Sequence, residues 1–112
     1  MKVDEARVEK ALDKLREVET AAAKARAERV YMEEWVPALR ATLAAKFMAD
    51  GDSATGADIK AKASPEYATA LQGLKEAVEA DELYRWTRAR AEATIEVWRS
   101  LESSRRAQER VQ

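Results

Sequence analysis

Every basic residue beyond position 84 is an arginine: Arg85, Arg88, Arg90, Arg99, Arg105, Arg106 and Arg110. Trp86 and Trp98 stand among them. A guanidinium grips phosphate or carboxylate with two parallel donors and stacks on aromatic faces, which a lysine ammonium cannot do. Basic residues interleaved with aromatics suit single-stranded nucleic acid, whose phosphates and bases they meet in turn. Trp and Arg also dominate the energetic centres of protein interfaces. The contact candidates are therefore Arg85, Trp86, Arg88, Trp98, Arg99, Arg105, Arg106 and Arg110. A protein-binding or self-assembly face is the leading use, and direct nucleic-acid contact the alternative. A plainer account competes with both. Trp98 suits a helix seam, Arg88 can pair with Glu92, and arginines near a helix C-terminus complement its dipole.

Catalytic chemistry finds little to work with. The chain has no cysteine and no histidine, which removes disulfides, Cys/His zinc sites and every imidazole-dependent dyad or triad. Glu33-Glu34 and Asp81-Glu82 are adjacent pairs, and neighbouring residues on a helix diverge. The stretch from Asp50 to Asp58 begins like a calcium loop, with acids at its first and third positions. It fails because the turn glycine, Gly56, comes one place late and Ala61 stands where a bidentate Glu belongs. Three glycines are too few for a phosphate-cradling loop. The sequence predicts no enzyme, no metal and no cofactor.

The elements that must carry the arginines are helical. The chain has 112 residues, 37% of them charged, and 24 of its hydrophobic residues are alanine. Such a composition is that of long helices and coiled coils. From about 3 to 49, Val8, Ala11, Leu15, Val18, Ala22, Ala25, Arg29, Met32, Val36, Leu39, Leu43 and Phe47 recur at spacings of three and four, a heptad-like stripe. Pro37 predicts a kink around 35–37. Glycines and small polar residues predict a loop over 50–57, with a short turn over 58–63. Ser64-Pro65-Glu66 then forms a helix start, and the pattern runs to about 109. The second stripe is Tyr67, Leu71, Leu74, Val78, Tyr84, Ala91, Ile95 and Trp98.

A fold-back near Gly56 would set residue i against roughly residue 113−i. Phe47 then meets Tyr67, Val36 meets Val78, Arg29 falls opposite Asp81 to Tyr84, and Leu15 and Val18 lie near Trp98 and Ile95. The expected fold is all-α: one domain, a long antiparallel helical hairpin, coiled-coil-like and kinked near Pro37. Two helices cannot cover Trp35, Trp86, Trp98, Tyr31 and Tyr84 on one seam. A homodimer forming a four-helix assembly would bury the excess.

Net charge is −1, but it is unevenly spread. Residues 27–84 sum to −5, residues 1–26 to +1 and residues 85–112 to +3. In the hairpin this gives a basic end and an acidic loop end. The first residues alternate in charge without an apolar run, which predicts neither a secretory signal nor a membrane span. A soluble cytoplasmic protein is expected.

Two stretches carry a family resemblance. Ala63-Ser64-Pro65-Glu66-Tyr67, and the helix ending Ile95-Glu96-Val97-Trp98-Arg99-Ser100-Leu101-Glu102-Ser103-Ser104-Arg105-Arg106, resemble small helical accessory proteins of tailed bacteriophages. The stretch from Tyr31 to Met48 fits the same pattern, so the likeness spans most of 28–106. Such proteins are encoded near phage recombination functions. The resemblance implies a non-enzymatic factor in the host cytoplasm, acting in DNA recombination or on a host DNA-processing enzyme. It implies a host or phage protein partner and brings no catalytic residue with it. It singles out Trp98, Arg99, Arg105 and Arg106.

Overall fold

The computed structural model describes residues 3–111. Among them there are three helices and no strand, and 94% of the residues are helical. Helix α1 spans Glu5–Ala49, α2 spans Ala54–Ala63 and α3 spans Pro65–Val111. Pro37 lies inside α1.

Local chemistry fixes the breaks. Helix α1 stops in a left-handed cap: Gly51 has φ +105°, its N–H donates to the Met48 carbonyl at 3.0 Å, and the Asp52 N–H donates to the Phe47 carbonyl at 3.1 Å. That hydrogen-bond pair is the Schellman arrangement, and glycine adopts this φ without steric penalty. Ser53 then caps α2, its Oγ accepting from the Gly56 N–H at 3.1 Å. Ser64 closes α2 and opens α3. Its Oγ donates to the Ala61 carbonyl at 2.8 Å, and Pro65 follows at the first helical position.

The break is thus shorter than the sequence spacing predicts. Only 50–53 is non-helical, against an expected loop over 50–57, and 58–63 is no isolated turn but the latter part of α2. Gly56 and the small polar residues around it signal a loop by composition, yet a single serine cap is enough to start a helix there.

The chain forms two compact units. The first takes the described residues up to Ala23 together with those from Glu82 onward, and the second is Lys24–Asp81. The first buries Val3, Val8, Ala11, Val18, Ala22 and Ala91. The second buries Val36, Ala57, Ala61, Ala70 and Ala77, with Ser64 and Asp81 as its polar members. No large side chain is fully buried among the described residues. Alanine seams let helix axes approach closely, and Leu15, Met32, Leu39, Leu43 and Phe47 of α1 are only half-buried.

Every position of the α1 stripe is buried or half-buried, as its spacing predicts. The α3 stripe differs at Leu71, which is exposed, while Ala70, Ala77 and Asp81 take the buried places. The expected register is also displaced. It sets Met32 opposite Asp81 and Ala11 opposite Glu102. Instead a Cβ at Gly73 would meet the Met32 Cε at 2.9 Å, and Ala11 shares a groove with Ala91. The chain does not fold back at Gly56, because that glycine is held in the first turn of α2. Arg29 does reach Asp81, at 3.1 Å. Antiparallel pairing of α1 and α3 in the second unit follows from these contacts.

Candidate functional site

All eight contact candidates lie on α3 in the first unit. A helix turns about 100° per residue, so sequence neighbours can point far apart. By that geometry Arg85, Arg88, Arg99, Arg106 and Arg110 share one face of α3. Trp86 lies on the other flank, with Leu83, Arg90, Val97 and Leu101. Trp98 sits on the seam between them and is half-buried. Five of the arginines therefore share a face, spread along about 37 Å of helix, and Trp86 is not on that face. Of the candidate arginines near it in sequence, Arg85 and Arg88 lie off the Trp86 flank, which Trp86 shares with Arg90.

Several of these arginines already have partners. Arg85 contacts Glu82 at 3.1 Å and Arg99 contacts Glu96 at 3.3 Å. Arg105 holds Glu102 at 2.8 Å and Glu109 at 2.6 Å. The Arg105 hydrogen bond keeps the Glu102 carboxyl below its ordinary value against an opposing desolvation, with added charge attraction from Arg105 and Arg106. Exposed intrahelical pairs of this kind stabilise little, but they do occupy the guanidinium. Arg88, Arg106 and Arg110 are exposed and make no ion pair among the described residues.

A second cluster stands out in the structure. Arg7, Lys10 and Lys14 of α1 and Arg90 of α3 line an open groove of about 610 Å³, with Thr87 and Thr94 beside Arg90 and the buried Ala11 and Ala91 as its floor. Four cations thus converge on one concavity. Among the described residues Arg7, Lys10 and Arg90 make no ion pair, and Lys14 has only a 3.7 Å contact with Glu17. The nearby Asp13 is turned to Arg16 at 3.1 Å. The threonine hydroxyls donate to the Leu83 and Arg90 carbonyls, so their oxygens face the groove as acceptors only. The sequence signal was available: Arg7, Lys10 and Lys14 flank the Val8–Ala11 seam at helical spacing. It is drowned by acids of equal density in the same stretch, and only the displaced register brings Arg90 alongside.

The acids of the 50–58 segment are committed elsewhere. Asp52 accepts from Lys60 at 2.8 Å, and Asp58 takes the Arg40 guanidinium in two bonds of 2.7 and 2.8 Å. Among the described residues no three His, Cys, Asp or Glu side chains converge as a metal site would require. No described helix is long and apolar enough to cross a membrane.

No protein-family model matches the chain, and neither a curated protein nor a solved structure shows significant similarity to it.

Proposed function

We propose that this chain is a non-enzymatic interaction protein whose large apolar side chains serve contact with partners. The observation that carries the reading is where those side chains lie. The buried hydrophobic residues are all valine and alanine, while Leu83 is 69% exposed, Trp86 68%, Tyr31 59% and Trp35 41%. Exposed large apolar residues, when clustered, mark interaction surfaces. Tyr31 and Trp35 form such a cluster, their rings stacked at 6.5 Å and 7°.

The first partner in this reading is a second copy, a homodimer of four-helix type that covers the exposed aromatics. A bend of α1 near Pro37 belongs to the same reading, since proline has no N–H to donate to the Glu33 carbonyl. The resemblance to phage accessory proteins supplies the setting: a factor of the host cytoplasm in DNA recombination, or one that modifies a host DNA-processing enzyme. The test is affinity capture from a bacterial lysate with the wild type and with Tyr31→Ser/Trp35→Ser. A partner retained by the first and lost by the second supports the reading. Partners indifferent to the change, or none, contradict it.

Nucleic-acid binding is the second reading, with a preference for single strands. It is favoured by the exposed Arg88, Arg106 and Arg110, which lack ion-pair partners among the described residues, and by the exposed Trp86.

A further inference from the structure

We infer that the groove of the first unit is a seat for the phosphodiester backbone of a single nucleic-acid strand, with Trp86 as a stacking platform at its edge. The inference rests on the nucleic-acid reading for the class of ligand, and it moves the site away from the C-terminal arginines.

Arg7, Lys10, Lys14 and Arg90 repel one another across the groove, and among the described residues Glu17 is the one acid in ion-pair contact with any of their side chains. Such an arrangement is relieved by a polyanion that touches several of them at once. Arg7, Lys10 and Lys14 span seven residues of α1, about 10 Å along the axis, so a linear array of phosphates matches them better than one compact anion. An open groove accepts a strand from end to end. Thr87 and Thr94 offer acceptors, not donors, so the cations alone hold the phosphates and the backbone is read without sequence preference. Trp86 lies one turn before Arg90 on the same flank of α3 and is largely exposed. A base on the strand held by Arg90 reaches that indole face, which a paired duplex base cannot do.

An acidic helix is the competing occupant, since Leu83, Val97 and Leu101 continue the flank. The test separates the two. Fluorescence anisotropy with labelled oligo-dT of fifteen nucleotides is run against salt, alongside the matching duplex and a poly-glutamate competitor. Four phosphate contacts on a single strand predict a slope of log affinity on log salt of about −3, or about a 50-fold loss between 50 and 200 mM. Lys10→Gln/Arg90→Gln lowers the slope to about −1.5. Trp86→Ala weakens binding about tenfold, and Trp86→Phe restores most of it. Arg105→Ala/Arg106→Ala changes affinity less than about twofold on this account, since neither touches the groove. Lys10, Arg90, Arg105, Arg106 and Trp86 are all exposed, and circular dichroism checks that each variant stays helical.

Loss confined to Arg105→Ala/Arg106→Ala would overturn the groove and leave the nucleic-acid reading standing. No binding at micromolar protein and low salt would overturn both. Displacement by poly-glutamate at equal charge, or a duplex bound as well as the single strand, would also overturn the proposal.

Discussion

Asp81 is 2% exposed, and its Oδ2 accepts from Arg29 Nη1 at 3.1 Å, while Arg29 Nε donates to Glu33 at 2.8 Å. A carboxylate buried on an alanine seam is tolerated because it is paired. Asp81→Ala removes a charge-assisted bond next to a half-buried guanidinium, and should lower unfolding stability by about 2 kcal/mol in urea titrations. An unchanged midpoint would show that Arg29 is satisfied without it. Asp58 behaves differently because it is solvent-screened. The hydrogen bond from Arg40 holds its carboxyl below the ordinary value of 3.8, against a smaller desolvation and with added charge attraction from Arg40 and Lys62. A lowered folded value means this contribution is present above the ordinary value and is lost as pH falls through the folded one. Melting temperature should therefore drop on acidification below about pH 4, and Asp58→Asn should flatten that drop. An equally steep decline in the variant would assign it to other carboxylates. At this scale the sequence was readable for Arg29 against Asp81, where a charged residue interrupts an apolar stripe. It was misleading for Trp86, because adjacency to Arg85 and Arg88 in the chain is divergence on a helix.

Helix α1 was legible from its spacing alone, since a period near 3.6 sustained over forty residues has few other meanings. Helix α2 was not, because its first turn, Ala54-Thr55-Gly56-Ala57, has a loop's composition and its start depends on one hydrogen bond from Gly56 N–H to Ser53 Oγ. Ser53→Ala should cost about 1 kcal/mol and lower the melting temperature, measured by circular dichroism. A neutral result would mean that α2 is held by the burial of Ala57 and Ala61 rather than by its cap. Missing α2 is also what displaced the register, and the register is what hid the groove. Gly73 gives a second test. A Cβ there would meet only the tip of Met32, a flexible side chain that can swing aside, whereas alanine gains helix propensity over glycine. Gly73→Ala should therefore stabilise by about 0.5 kcal/mol, and a clear loss would show that the Met32 contact is rigid. Gly51 is the opposite case, because its φ of +105° penalises any side chain.

For the molecule as a whole, composition was the most informative feature and also the easiest to misread. With 46% of residues nominally hydrophobic, the bare count suits a conventional core. Yet 24 of those residues are alanine, and they supply most of the buried set. What remains for the outside is large and apolar, at Tyr31, Trp35, Leu83, Trp86 and Leu101. The net charge of −1 conceals a groove lined by four cations in the same way. In the proposed reading these outer apolar residues meet a second copy of the chain first of all. Light scattering on the eluting peak across a range of micromolar concentrations tests it most directly. The expected particle has twice the 12.6 kDa chain mass and falls to the single-chain mass in Tyr31→Ser/Trp35→Ser. A wild-type particle of 12.6 kDa at every concentration would contradict it.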